Sequence, residues 1–377
     1  MKETPFNPSG FAMDEGFTDR VDELKWLVGG ARRHAKLLAY GPRRMGKSSC
    51  LLRAGEILKR EHDGHVLYVD LSRYSNLVDA ANALLKEADA ALHGWSRWRN
   101  FLIQAMKGVT FRAGTISVGL EMKDRDKSDH VTVFLEVLDS LNTAASKRKG
   151  PLVVAIDEFQ DIIRLGADRA EWALRSALQG HRSLGYFLAG SEAHLIEKMT
   201  SAQGAFFELL ETKAIGPIAR EEMARWIDTQ FARERLKAAG VGAACCEYAG
   251  DRTRDIVDLA RRTYERALSK RSADRTTVEA ALEELIADKE DPFFRIWSSL
   301  PTAQQAVLQA IAAEHGRELG ATAVRRRFGI KSTGESSHAA NALVEKGHLQ
   351  RLGRGAFVFD SPFFKRWVKG LSAADAA

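Results

Sequence analysis

GPRRMGKSS, residues 41–49, decides how this chain is read. Gly41, Gly46, Lys47 and Ser48 fit the spacing G-x-x-x-x-G-K-[ST], a loop that cradles phosphates. The two glycines let the backbone bend so that its N–H groups face the phosphates. A helix opening at the loop turns its positive end toward the same anions. Lys47 is placed to reach the β- and γ-phosphates, and the Ser48 hydroxyl suits Mg²⁺. Pro42, Arg43, Arg44, Met45 and Ser49 complete the nucleotide-binding stretch. Arg43 and Arg44 add positive charge to the loop, or point outward to solvent. The apolar run AKLLAY (35–40) precedes the loop and the helical SSCLLRAGEILKRE (48–61) follows it, which is the context the motif requires. ATP and Mg²⁺ are the cofactors this implies.

Three further apolar runs read as buried strands: HVLYVDLS (65–72), PLVVAIDE (151–158) and LGYFLAGS (184–191), with KAIGPI (213–218) as a candidate fifth. Helical patterns separate them, as in RAEWALRSALQGHR (169–182), so a parallel sheet covered by helices is expected. Between the second and third runs, LVDAANALLKEADAAL (77–92) is helical. The segment FRAGTISVGLEMKDRDKSDH (111–130) then reads as a surface insertion, with a strand-like TISVGLEM and a charged, loop-like end.

VVAIDEFQD (153–161) supplies the second half of a nucleotide site. Four apolar residues carry Asp157 to a strand end, where a carboxylate can hold the Mg²⁺ water shell. Glu158 follows and can polarise an attacking water as general base. The plain alternative is a solvated acidic strand end. Ser191 closes the next strand and can sense the γ-phosphate, or simply cap a helix. In GDRTRDIV (250–257), Arg254 either reaches over the nucleotide from a helical lid or faces solvent.

The 377 residues are 45% apolar and 28% charged, ordinary values for a globular protein, and no apolar run approaches the roughly 20 residues of a membrane span. The opening MKETPFNPSGFAMDEGF has no apolar core like that of a signal peptide, so a cytoplasmic location is expected. Cys50, Cys245 and Cys246 form no CxxC pair, which argues against zinc and against a disulfide framework. No G-x-S-x-G or H-E-x-x-H string marks a second catalytic centre.

Residues 219–288 are helical in pattern, and Pro292 and Pro301 bracket a boundary. TAQQAVLQAIAAE (302–314), GATAVRRRFG (320–329) and ESSHAANALVEKG (335–347) read as three helices, and HLQRLGRGAFVFD (348–360) as two strands around a turn. That is a winged helix-turn-helix. The expected division is 1–218 ATPase core, 219–291 helical lid and 292–377 winged helix. From Pro292 to Ala377 there are 12 Lys+Arg against 6 Asp+Glu, so the whole formal excess of +6 lies in this last part and hints at an anionic partner. Helix three would present Ser336, Ser337, His338 and Asn341, while Glu335 near its start would repel a phosphate. The basic residues Arg325, Arg326, Arg327, Lys331, Arg351 and Arg354 flank it, an arrangement suited to backbone contact. Docking to a protein, or autoinhibition, is the equal alternative. FVFDSPFFKRW (357–367) reads as aromatic core under the wing.

Taken together, FTDRVDELKWL (17–27), GPRRMGKSS, VVAIDEFQD, LAGSEAHLIEKM (188–199) and FVFDSPFFKRW resemble the archaeal-type ATPases, a STAND branch of AAA+-like P-loop proteins. The resemblance spans about Phe17 to Trp367. It implies an α/β fold: an ASCE P-loop parallel sheet of order 5-1-4-3-2, a helical lid and a C-terminal winged helix-turn-helix, a layout shared by initiators of DNA replication. It also implies that Phe17 and Arg20 lie in the segment leading to the adenine pocket. Ring-forming AAA+ ATPases often carry a trans-acting arginine shortly after the sensor strand. Here no arginine occurs from Ser191 to Ala219, leaving Arg175 and Arg182 as candidate substitutes.

The function expected is therefore that of an ATP-dependent molecular switch with slow Mg²⁺-dependent hydrolysis, whose winged helix contacts DNA or a protein. A constitutive ring is disfavoured. The alternatives are a DNA-binding initiator- or loader-like protein and a non-hydrolysing, nucleotide-bound scaffold.

Overall fold

The computed structural model describes residues 4–8, 10–12, 16–91, 110–113, 118–121, 127–166, 170–314, 319–353 and 355–374. Arg354 of the wing lies outside them, as do residues 92–109, parts of the 111–130 insertion, and Arg317 and Glu318. The chain divides into two compact units, Ser9–Ile218 and a second made of Ala219–Ala377 with Met1–Pro8.

The first unit is built on five parallel strands: β1 (Lys36–Tyr40), β2 (His65–Asp70), β3 (Leu152–Asp157), β4 (Leu184–Gly190) and β5 (Glu211–Ala214). Their order is 2-3-4-1-5, the expected sequence written from the other edge. β3 and β4 are buried at every position, which is why they read as unbroken apolar runs. Successive residues feed opposite faces. Leu37, Val153, Ala155, Phe187 and Ala189 pack on α1 (Val21–Arg32) and α2 (Lys47–His62). Leu38, Val154, Ile156, Tyr186 and Leu188 pack on α3 (Leu77–Ala91), α4 (Lys127–Ala145) and α5 (Ala170–Gly180). A further helix, α6 (Ala193–Thr200), follows β4.

Three local expectations change. β5 ends at Ala214, so the fifth strand lies earlier than KAIGPI; its exposed edge residues Glu211 and Thr212 gave no apolar signal. The insertion carries an antiparallel ribbon, Thr110–Ala113 with Val118–Glu121. Its charged end is not all loop, because Lys127–His130 form the first turn of α4.

The second unit starts with four helices: α7 (Arg220–Arg233), α8 (Val241–Ala249), α9 (Thr253–Lys270) and α10 (Arg275–Asp288). Phe6 is fully buried in this unit, its ring 5.5–5.9 Å from those of Trp226, Phe231 and Tyr264. Pro292 sits in the first turn of α11 (Glu290–Ser298), where a missing N–H costs no helical bond.

The winged helix follows: α12 (Thr302–Glu314), α13 (Thr322–Arg327), α14 (Thr333–Glu345), the hairpin β6 (Leu349–Gly353) and β7 (Ala356–Phe359), and α15 (Pro362–Ala374). Phe357, Phe359, Phe363, Phe364 and Trp367 are buried together, as the sequence led one to expect. Arg252 at the start of α9 pairs with Asp360 beyond β7. Among the described residues, no helix is long and apolar enough to cross a membrane.

Candidate functional site

The carboxyl ends of β1 to β4 converge, with Tyr40 opposite Gly190 and Asp70 opposite Asp157. Ligands of open parallel sheets bind beyond such ends. GPRRMGKSS occupies the turn from β1 to α2. Gly46 takes a left-handed conformation (φ 84) at the start of α2. At Gly41 a Cβ would lie 2.3 Å from the Ile215 carbonyl oxygen, so only glycine fits there.

Lys47 is only 6% exposed, and its ammonium donates to the carbonyls of Gly41 and Pro42 at 2.9 Å each. Burial pulls its pKa below the usual lysine value, against the attraction of Glu158 and Asp157. The Ser48 hydroxyl bonds the Asp157 carboxylate across the sheet end. Tyr68, on β2, donates to the same carboxylate oxygen at 2.7 Å. Burial raises Asp157 above the usual carboxylate range, and these hydrogen bonds oppose the rise only in part. A desolvated lysine and a desolvated carboxylate side by side fit an anion and a cation respectively. The hydroxyl and carboxylate of Ser48 and Asp157 form the hard oxygen pair that Mg²⁺ prefers, and backbone N–H groups with Lys47 suit polyphosphate.

Glu158 leaves β3 in a left-handed conformation (φ 47, ψ 47), unusual for a residue with a side chain. Its carboxylate accepts from the Ser191 hydroxyl at 2.6 Å and from the Gln160 amide at 2.6 Å. Arg43 donates to Ser191 at 3.3 Å and pairs with Glu192 at 3.3 Å, both on the surface. The structure thus brings Lys47, Ser48, Asp157, Glu158 and Ser191 together around the strand ends.

Other residues singled out in the sequence are placed differently. Arg20 is 4% exposed, and its guanidinium donates to the Met45 carbonyl at 2.9 Å, the Gly216 carbonyl at 2.6 Å and Glu23 at 3.0 Å. It pins the phosphate loop to the segment after β5. Phe17 packs on the α1–α2 core, and the Ser49 hydroxyl accepts from the Ala12 N–H at 3.1 Å. Pro42, Arg43 and Arg44 are exposed, and Met45 is buried with Ala39 and Ile215. Arg254 is exposed on α9, in the second unit. Arg175 donates to the carbonyls of Ala205 and Phe207, so it holds its own chain. Arg182 is exposed before β4, at the opposite end of the sheet from the phosphate loop.

On the winged helix, Ser337, His338 and Asn341 are exposed on α14, but Ser336 is not: it is 2% exposed and bonds the Thr333 carbonyl. One helical position separates outward Ser337 from inward Ser336. Glu335 proves to be part of the cap of α14: its N–H bonds the Ser332 hydroxyl and its carboxylate accepts from the Lys331 N–H. Arg325 bonds the carbonyls of Gly320 and Lys331, Arg327 pairs with Glu314 at 2.6 Å, and Arg351 bonds Asn341. Arg326 and Lys331 are exposed.

Sequence reasoning missed Tyr68 and gave Gln160 no role. Gln160 stood inside the DEFQ string and could have been weighed. Tyr68 could not, because only the pairing of β2 with β3 brings it to Asp157.

The sheet order, the phosphate loop and the winged helix define a P-loop ATPase domain joined to a winged-helix module. The chain belongs to the family described as an ATPase domain predominantly from Archaea, which matches residues 17–215. A second description, "probable winged helix domain", matches residues 291–370. Among curated proteins, no sequence matches. Solved structures share the fold. A Walker-type ATPase of Pyrococcus abyssi superposes with a TM-score of 0.66 at 16% identity, covering 97% of this chain and 100% of that one. The ORC2 protein of Aeropyrum pernix, in ADPNP–ADP complexes, gives 0.61 at 15% identity, covering 97% and 98%.

Proposed function

We propose that the protein binds ATP with Mg²⁺ and hydrolyses it slowly, as a nucleotide-dependent molecular switch. The observation that carries this reading is the Glu158 carboxylate, held by Ser191 and Gln160 beside the Ser48–Asp157 pair and within the field of Lys47. Backbone N–H groups from Arg43 to Ser48 and the Lys47 ammonium bind the phosphates. Ser48 and Asp157 would hold Mg²⁺, which when bound neutralises charge on the β- and γ-phosphate oxygens. Glu158 takes a proton from the attacking water, and Ser191 orients that carboxylate. Residues 219–291 serve as the lid, with Arg254 its candidate contact to nucleotide, and 292–377 as the output module.

Slow turnover follows from the missing arginine between Ser191 and Ala219 and from the use of Arg175 on its own chain. Lys47→Ala should abolish ATP binding measured by calorimetry. Glu158→Gln should keep binding and lose turnover by about 100-fold or more. Equal turnover in wild type and Glu158→Gln would remove Glu158 as the base.

A second reading is a DNA-binding, initiator- or loader-like protein. It rests on the formal charge excess of the last 86 residues, 12 basic against 6 acidic from Pro292 to Ala377, and on the exposure of Arg326 and Lys331.

A further inference from the structure

Glu158 has three side-chain torsions, and a base that wanders loses most of its advantage. Two donors meet it on one oxygen: the Ser191 hydroxyl and the Gln160 amide both reach Oε2 at 2.6 Å. A carboxylate oxygen has two lone-pair sites, so this pair fills Oε2. Among the described residues, no donor engages Oε1.

Gln160 is built for this contact. It is 2% exposed, unusual for an amide. Its NH₂ faces the carboxylate, the only orientation without oxygen against oxygen. Its own Oε1 is buried without a partner, so the amide gains little from being there except the bond to Glu158. Phe159, fully buried and packed edge-on against Phe206 at 5.0 Å, fixes the 3₁₀ turn Phe159–Asp161 that carries it. Gly190 leaves the room, since a Cβ there would lie 3.0 Å from the Gln160 oxygen.

The geometry points to Gln160 as the positioning residue of the general base. Together with Ser191 it saturates Oε2 and leaves Oε1 as the single oxygen available to an attacking water. Gln160 itself exchanges no proton. This inference rests on Glu158 being the base.

Gln160→Met keeps the length and shape of the side chain and removes the donor. Gln160→Asn, which keeps the amide but draws it back, serves if the Met variant does not fold, as judged by the thermal midpoint of the nucleotide-free protein. In either variant kcat should fall about 10-fold or more, while the ATP dissociation constant from calorimetry stays within about 2-fold. Gln160→Met and Ser191→Ala should combine to less than the product of their separate effects, because both act through one oxygen. In a Glu158→Gln background, Gln160→Met should change nothing further. Wild-type kcat in the Gln160 variants, with Glu158→Gln inactive, would overturn the role of Gln160 and leave the base in place. An equal loss in the Glu158→Gln background would also overturn it, since the residue would then act by another route. Turnover unaffected by Glu158→Gln would instead remove the base, and this inference with it.

Discussion

At the scale of single residues, the site is held by side chains that touch main chain as much as by those that face the ligand space. Arg20 is the clearest case. One guanidinium serves the phosphate loop, the segment after β5 and Glu23, and a planar fork can do this where a single ammonium cannot. Arg20→Ala should therefore lower stability by roughly 3 kcal/mol in urea denaturation, because it orphans two carbonyls and a half-buried acid. Arg20→Lys should recover only part of that loss, and ATP affinity should fall in step. Unchanged stability in Arg20→Ala would show that the loop needs no pin. A second buried group, His181, makes stability depend on pH. Its Nε2 lies 2.7 Å from Asp139 and its Nδ1 2.5 Å from the Tyr186 hydroxyl. A neutral ring that donates to Asp139 accepts from Tyr186. Burial lowers its pKa from the usual 6.5; Asp139 opposes this and Lys36 adds to it. Between the lowered value and 6.5 the unfolded chain binds more protons, so stability falls as pH drops through that window. His181→Asn should flatten the wild-type difference in unfolding free energy between about pH 7 and pH 5. A slope identical in both proteins would assign the effect elsewhere.

At the scale of elements, legibility followed burial. β3 and β4 are buried on both faces and stood out as apolar runs. β5 was placed late because an exposed edge strand carries no such signal. Within the site, Lys47, Ser48, Asp157 and Glu158 could be read because motif spacing encodes them. Tyr68 could not, because strand register alone brings it to Asp157; Ser191 and Gln160 stood in legible strings, but their meeting on one Glu158 oxygen depends on a left-handed turn. Arg325 and Arg327 are tied to their own unit, so they weigh less in any footprint than Arg326 and Lys331. Arg326→Glu with Lys331→Glu should weaken duplex DNA binding and reduce the slope of log K against log salt by about 2. Unchanged affinity, or no binding by the wild type, would favour a protein partner for this module.

At the scale of the whole molecule, a switch requires that nucleotide change what a second unit does. Limited proteolysis with and without ATP–Mg²⁺ should show different cleavage in the segment 216–219 that joins the two units; identical patterns would favour a nucleotide-bound scaffold. The other covalent crossing is the N-terminal segment, whose Phe6 lies among Trp226, Phe231 and Tyr264. Phe6→Ala should cost about 3–5 kcal/mol in the unfolding of the second unit, with little change in ATP affinity. Equal stability would mean that the pocket closes without the ring.

The placement of Phe6 also sets an order of events on the ribosome. Ser9–Ile218 is contiguous and can fold as it emerges. Phe6 is made before Ser9–Ile218, yet its pocket is complete only once Tyr264 has been made. While the residues between Phe6 and Tyr264 are being made, this large apolar side chain has no native seat. It must then close one of the longest loops in the protein, an entropic cost that grows only slowly with length. The second unit is thus finished by a residue translated before the whole of the first, and a chaperone that shields Phe6 in the nascent chain would act on the step that completes that unit.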